Sequence, residues 1–287
     1  VSLDDARRVI EKAIGARTFP AAAIEVGDAQ SVIWSDALGT LSFDPASLPT
    51  VIQTPFDLAS LTKVIATTTV VMELVRTGRL RLEERASAVF GDWRGADRAS
   101  VTVRDLLEHA SGLPARLVDR PPETRREFEH DIGTIALDYK PRTRSIYSDL
   151  GFILLGFLAA DRGGASLAVQ FDAIAVPLQP DLLAFALPPH ARSLAAPTRP
   201  MDDDARRGRI LRGEVHDNYA AALGGVAGHA GLFGTAPAVG AFARMLLRAS
   251  RGDQRSPLPF SPALVAEFTA RGSVPGSSRA LGWDTML

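Results

Sequence analysis

A serine and a lysine stand three residues apart in Asp57-Leu58-Ala59-Ser60-Leu61-Thr62-Lys63, where an apolar run begins. On a helix, positions i and i+3 share a face, so the Lys63 ammonium can reach the Ser60 hydroxyl. Serine is a weak nucleophile until a neighbouring base takes its proton. Lysine can be that base where burial or a nearby cation lowers its pKa toward neutrality. Val64, Ile65 and Ala66 offer such a dry setting. A helix N-terminus also favours a developing oxyanion, with the Ser60 backbone N–H among the donors. Alone the pair is a weak signal, because Ser-x-x-Lys recurs by chance and a serine at a helix start is more often only a cap.

Other chemistries find less support. The five histidines are His109, His130, His190, His216 and His229, and none has a recognised metal-ligand spacing. His216-Asp217 could give two ligands at most, so no metal site is expected. The chain has no cysteine, which excludes a disulfide scaffold, a thiolate nucleophile and a Cys-ligated zinc or iron–sulfur site. Neither G-x-G-x-x-G nor a Walker A pattern occurs, so no nucleotide cofactor is expected. With 32 Lys+Arg against 33 Asp+Glu the net charge is −1, and no overall field attracts nucleic acid or an anionic membrane.

The elements that must position Ser60 and Lys63 can be read in outline. The length of 287 residues suffices for a large core, and 46% hydrophobic with 23% charged residues is ordinary for a globular enzyme. Ser2 and Asp5 form a capping-box pattern that opens a helix to about Ala16, with Leu3, Ala6, Ile10, Ala13 and Ile14 on its apolar face. Ala21 to Val26 and Ser31 to Leu38 read as a hairpin. The strongest helix runs from Ser60 to about Thr77 and is closed by Gly78. Val101 to His109 reads as helix, and Val118 to Glu129 as exposed chain. Residues 151–162 read as a buried apolar helix, too short to span a bilayer. Residues 186–213 are rich in Pro, Asp and Arg and read as a long surface excursion. Thr235 caps a helix that turns Val239, Phe242, Met245 and Leu246 inward. A last helix covers about Ser261 to Ala270, and Leu281 to Leu287 reads as the start of a strand.

Three segments occur in an order that carries more weight than the pair alone. Phe56-Asp57-Leu58-Ala59-Ser60-Leu61-Thr62-Lys63 comes first, then Leu106-Leu107-Glu108-His109-Ala110-Ser111-Gly112-Leu113-Pro114, then Tyr147-Ser148-Asp149-Leu150-Gly151. Together they resemble the serine β-lactamase-related superfamily: class C β-lactamases, D-Ala-D-Ala carboxypeptidases and esterases of the same fold. Glu214-Val215-His216-Asp217-Asn218 and Gly224-Gly225-Val226-Ala227-Gly228-His229-Ala230-Gly231-Leu232-Phe233 resemble a bacterial subgroup of these hydrolases. The resemblance covers nearly the whole chain. It implies an α+β, β-lactamase/transpeptidase-like fold, an antiparallel sheet flanked by helices plus a mainly helical subdomain. Residues 1–58 and 232–287 would form the sheet portion, and residues 59–231 the helical portion.

The same resemblance makes Ser60 the acylated nucleophile, Lys63 its partner and Tyr147 the tyrosine of the Tyr-x-Asn motif. A phenol, with a pKa near about 10, becomes a usable base or proton shuttle when an ammonium stabilises its phenolate. The bland reading of Tyr147 is a core tyrosine. Asp149 stands where the lactamases carry Asn, and an ionised carboxylate only accepts hydrogen bonds. In the lactamases that Asn helps hold the substrate's amide, so strong β-lactam turnover is not expected. Ser148 or Asp149 also suits the cap of the helix beginning at Leu150. His229 and Gly231 are candidate substrate-wall residues, with a structural role for His229 the plainer alternative.

The third family motif, Lys-Thr-Gly or His-Thr-Gly on a strand, has only His229-Ala230-Gly231 as a match, and that segment reads as leading into a helix rather than a sheet edge. No later candidate precedes Leu287, so the C-terminal strands carrying it are expected to be missing, leaving an open groove beside Ser60. The function expected is a serine hydrolase, foremost a carboxylesterase on short-chain esters, with β-lactamase or D-Ala-D-Ala carboxypeptidase as the alternative. The competing class is a non-catalytic penicillin-binding or partner-binding protein on the same fold. The expected ligand is a small-molecule ester or amide, without cofactor, nucleic acid or membrane span. The oligomeric state stays open, and so does the compartment, cytoplasm or periplasm of a bacterial-type cell, because Val1 follows neither an initiator Met nor a signal pattern.

Overall fold

In the computed structural model, residues 2–117, 121–175, 182–202 and 204–286 are described. The first helix, α1 (Leu3–Gly15), starts at the expected capping box. Ser2 Oγ accepts from Asp5 N at 3.1 Å, and Asp5 Oδ2 accepts from Ser2 N at 2.9 Å. The hairpin follows as β1 (Ala21–Gly27) and β2 (Val32–Gly39), antiparallel with Ala21 opposite Gly39 and Val26 opposite Trp34. α1 lies against β2 with no residue fully buried, and α9 (Ala236–Ser250) packs on β1. Glu25 of β1 pairs with Arg244 of α9, and Arg248 Nε donates to Ala29 O at 2.6 Å, so charge and backbone bonds reinforce that packing.

A second, smaller sheet places the candidate nucleophile. β3 (Phe56–Asp57) pairs with β5 (Phe233–Gly234), and β5 pairs with β4 (Leu183–Ala184), all antiparallel. The helix expected from Ser60 to Thr77 is present but is not one regular α-helix. Lys63–Thr68 is a π-helical turn, and α2 (Thr69–Arg76) continues from it. The run Thr67-Thr68-Thr69 explains part of this departure, because buried hydroxyls compete for backbone groups. Thr68 Oγ1 donates to Lys63 O at 2.8 Å, and Thr67 Oγ1 donates to Gly228 O at 2.7 Å.

The apolar helix is α5 (Asp149–Gly163), and it is buried around most of its circumference, which is why its sequence lacks a polar stripe. Ser148 is its N-cap, and Gly164, with φ of 72°, ends it. It packs on α2, on α3 (Val103–Leu107) and on α6 (Leu167–Ala175), building the main core with Leu106, Phe128, Phe152, Leu154 and Phe171. Among the described residues the remaining α-helices are α4 (Arg125–Thr134), α7 (Pro189–Arg192), α8 (Asn218–Ala222) and α10 (Pro262–Thr269), with a short 3-10 helix at Ala86–Ala88. Among the described residues no single helix is long and apolar enough to cross a membrane.

Four expectations are corrected. The helix read over Val101 to His109 is only the five-residue α3, and His109 beyond it has φ of 54°. The excursion at 186–213 is not all surface: Leu187, Ala191 and Ala195 are buried in a small cluster with Val215, Ala220 and Phe233, and a bridge joins Thr198 to Leu211. His229-Ala230-Gly231 leads through Thr235, the N-cap, into α9 as read, but the two-residue β5, the middle strand of the small sheet, intervenes. Residues 281–286 form no strand; only an isolated bridge joins Arg279 to Asp284. Residues 118–120 of the Pro- and Arg-rich segment, and Leu287, lie outside the described residues.

Candidate active site

Backbone geometry at the end of β3 presents Ser60. Asp57 Oδ1 accepts from Ala59 N at 2.8 Å, and its other oxygen accepts from His216 N at 2.7 Å. Burial pushes the Asp57 carboxyl above its ordinary value, against those hydrogen bonds. Ala59 has φ of 46°, a left-handed conformation that costs a non-glycine residue about 1–2 kcal/mol. That turn points Ser60 outward and leaves its N–H without an acceptor among the described residues, free for a developing oxyanion.

Ser60 Oγ has two neighbours that can exchange protons. Lys63 Nζ lies at 2.9 Å and Tyr147 Oη at 2.5 Å. Lys63 is buried, and Nζ has two further acceptors, Asp149 Oδ1 at 2.7 Å and His229 O at 3.1 Å. An ammonium has three donors, and this arrangement uses all of them. Tyr147 is 37% exposed, so its oxygen faces the open side of the site. Its ring lies 4.7 Å from Lys63 Nζ, 5.5 Å from the Arg279 guanidinium and 4.8 Å from the His109 ring.

His109 is a support for Tyr147. Its Nδ1 accepts from Ser148 N at 3.0 Å, which fixes the backbone beside Tyr147. Burial, with the Arg279 and Lys63 cations nearby, pushes the imidazole down to about 3. It therefore stays neutral at ordinary pH. Its carbonyl accepts from Tyr139 Oη at 2.8 Å and from Ile146 N at 3.0 Å, which closes the loop preceding Tyr147.

Asp149 already has two cation partners. Its Oδ1 holds Lys63 and its Oδ2 accepts from Arg116 Nη1 at 3.0 Å, and its side chain is 12% exposed. It is the first residue of α5, with Ser148 as the N-cap, so the cap falls on the first of the two candidates. His229 is 1% exposed, and Nε2 meets Asp217 Oδ1 at 2.7 Å. Because a carboxylate only accepts, Nε2 carries the hydrogen. Its Nδ1 has no partner among the described residues. What His229 gives the site is its backbone carbonyl. Two glycines bring that carbonyl to Lys63: a Cβ on Gly228 would meet Phe152 O at 1.9 Å and Gly156 Cα at 3.0 Å. Only bare backbones let α5 and this loop come so close. Gly231, with φ of 118° and Gly225 O where a Cβ would stand, turns the chain into β5. The structure gathers Ser60, Lys63, Tyr147 and Asp149 at one place, with the His229 carbonyl behind them and Gly231 shaping the loop.

Sequence reasoning missed Arg116, and it took Asp217 and Asn218 as part of a motif, with His216-Asp217 weighed only as a ligand pair. Arg116 Nη1 also donates to Asp217 Oδ2 at 2.9 Å, and Nη2 donates to Asn218 Oδ1 at 2.5 Å. Although burial opposes it, the His229 hydrogen bond holds the Asp217 carboxyl far below the usual carboxylate range, with Arg116 contributing. No local pattern announces Arg116; the nearest signal is its place just after Leu113-Pro114. Among the described residues no group of His, Asp and Glu could hold a metal ion.

Known proteins resemble this chain in sequence and in fold. The family model described as Beta-lactamase matches residues 6–287, and the chain belongs to that family. An N-acetylmuramyl-L-alanine amidase of Bacillus subtilis (strain 168) is 32% identical over 267 residues, which is 83% of this chain. The chain spans 59% of the length of that relative. The structure of a beta-lactamase/D-alanine carboxypeptidase from Pseudomonas syringae superposes with a TM-score of 0.75 at 20% identity, covering 98% of this chain and 73% of the other. EstCE1, described as a hydrolase with promiscuous acyltransferase activity, gives a TM-score of 0.72 at 21% identity, covering 98% and 83%. At those identities the two structures establish the fold: mixed α and β, with small antiparallel sheets flanked by helices.

Proposed function

We propose that this chain is a serine hydrolase acylated on Ser60, with short-chain carboxylic esters as its substrate class. One observation carries the reading: Ser60 Oγ lies within hydrogen-bond reach of both Lys63 Nζ and Tyr147 Oη, on a turn that leaves the Ser60 N–H free. In the first half-reaction Ser60 Oγ attacks the ester carbonyl carbon while its proton passes to Tyr147 Oη as phenolate or to Lys63 Nζ as free amine. The tetrahedral oxyanion is met by the Ser60 N–H. The C–O bond to the leaving alcohol then breaks, and that oxygen takes the proton back. In the second half a water attacks the acyl-enzyme by the same proton route, releasing the acid and restoring Ser60. Lys63, held by its three acceptors, lies beside Tyr147 and Ser60 through both halves.

Esters are favoured over amides because of Asp149. Its two oxygens each hold a cation, Lys63 and Arg116, and as a carboxylate it offers a substrate amide no donor. An ester, which has no N–H to be held, loses less by that. A second reading, amide hydrolysis, has its own support in the relative named as an amidase; a β-lactam or a D-alanyl-D-alanine peptide would be the substrate type. The test compares kcat/KM on p-nitrophenyl acetate and butyrate with nitrocefin and a D-alanyl-D-alanine peptide, using Ser60→Ala as control. Ester turnover that Ser60→Ala abolishes is the expected result. Faster nitrocefin or peptide cleavage selects the amide reading. Stable labelling of Ser60 by a fluorescent penicillin, without turnover of any substrate, would mean a binding protein instead.

A further inference from the structure

Behind the candidate nucleophile runs a line of side chains that alternate in charge. Lys63 meets Asp149 at 2.7 Å, Asp149 meets Arg116 at 3.0 Å, and Arg116 meets Asp217 at 2.9 Å. Asp217 in turn holds His229, whose carbonyl returns to Lys63 Nζ, so the line closes into a ring. Arg116 is the member that joins separate elements. One guanidinium grips the first residue of α5, the N-cap of α8 and Asn218, and it lies 4.1 Å over the Tyr219 ring. A planar fork can do this, and a point-charge ammonium cannot.

We propose that Arg116 is a positioning residue for acylation, acting through Asp149 to hold Lys63 Nζ at Ser60. The inference rests on the reading of Ser60 as nucleophile. Lys63 has a flexible four-carbon stem, so its acceptors decide where Nζ stands. With Arg116 present, Asp149 divides its two oxygens, one to each cation, and that fixes the plane of the carboxylate. Without Arg116, Asp149 Oδ2 loses its partner in a largely buried place. The carboxylate then gains by turning both oxygens onto Lys63, which draws Nζ away from Ser60 Oγ. Asp217 keeps His229 and its backbone donor, Ala220 N at 2.8 Å, so the far side of the ring survives. The disturbance is therefore directed at the Asp149–Lys63 side. Arg116 does not bind the substrate in this account, because its Nη1 and Nη2 both have partners in the resting site.

The experiment is a double-mutant cycle on Arg116→Gln and Asp149→Asn, with Arg116→Lys as the conservative variant. Readouts are the rate of Ser60 labelling by a fluorophosphonate probe, and kcat and KM on p-nitrophenyl acetate. Arg116→Gln is expected to slow labelling and kcat by about 10- to 100-fold with KM changed less than about threefold, the split expected of lost transition-state positioning. Arg116→Lys should recover part of that loss. In the Asp149→Asn background, Arg116→Gln should cost less than about threefold more, because residues acting through one another are not additive. The same fold-loss in both backgrounds, or a raised KM with kcat intact, overturns the proposal. If Arg116→Gln shows no cooperative melt, Arg116→Lys decides, and labelling at the wild-type rate overturns it. An unlabelled Ser60 in the wild-type chain would overturn the nucleophile reading and this inference with it. A labelled wild type with an unaffected Arg116→Gln variant overturns only the role of Arg116.

Discussion

Replacing Tyr147 by Phe removes one oxygen and keeps the ring, so its structural and chemical consequences can be separated. The oxygen makes one hydrogen bond, to Ser60 Oγ at 2.5 Å, on a residue 37% exposed. A hydrogen bond contributes about 0.5–1.5 kcal/mol net, and water can replace this one, so the low end applies. The ring keeps its neighbours His109 and Lys63. For a chain of this size a loss of about 0.5 kcal/mol lowers Tm by only about 1 °C. If Tyr147 Oη carries the Ser60 proton, its loss removes general-base assistance of about 10²–10⁴ in rate, or about 2.7–5.4 kcal/mol. The chemical effect then exceeds the structural one by at least about fivefold in free energy. The assay is kcat on p-nitrophenyl acetate beside a thermal melt of the same preparation. The Lys63 contact at 2.9 Å should leave residual activity above the Ser60→Ala blank. A variant with wild-type kcat, or a Tm lowered enough to account for the lost rate, would show that Tyr147 only packs.

Two further outcomes are expected. Gly228→Ala places a methyl group against Phe152 O and Gly156, an overpacking worth about 1–3 kcal/mol, and should lower both Tm and the rate of Ser60 labelling by shifting the His229 carbonyl off Lys63; unchanged labelling would refute that link. Acidification should destabilise the fold through His109: the unfolded imidazole takes a proton near about 6.5 and the folded one only at about 3, so between those values the unfolded chain binds more protons and stability falls as pH falls, by up to about 1.4 kcal/mol per pH unit. His109→Asn, which can still accept from Ser148 N, should flatten that part of a stability–pH curve from denaturant melts, and an unaltered slope between pH 4 and 6 would refute the assignment.

What the sequence disclosed follows the range of the interactions involved. The capping box at Ser2 and Asp5, the hairpin and the Ser60–Lys63 pair rest on neighbours within a few residues, and each was legible. So was α5, because fifteen residues without a polar stripe can only be buried. The π-helical turn was not, since it depends on Thr67 reaching Gly228 across 161 residues of chain. Arg116 was hidden for the same reason: its partners lie 33, 101 and 102 residues away, and an isolated arginine after Leu113-Pro114 has no pattern to reveal it. The strand start read at Leu281 to Leu287 failed over the described residues 281–286 because an apolar start does not supply a pairing partner. Gly282 N instead donates to Leu107 O at 3.0 Å, and with φ of 81° it turns the chain away from extended geometry.

His229 shows why naming a residue is not the same as naming the atom that acts. The sequence offered it as a structural or substrate-wall residue, and the ring is buried against Asp217 and Tyr219. The backbone carbonyl is what touches Lys63, and any residue supplies a carbonyl. Its placement depends on Gly228 and Gly156, which let the loop lie on α5, and on Thr67, whose hydroxyl holds Gly228 O. The imidazole then serves at one remove, by fixing Asp217, which fixes one side of the Arg116 fork. The surroundings of Ser60 are thereby tied to helix–loop packing, and a substitution in that packing reaches the proposed nucleophile without touching it.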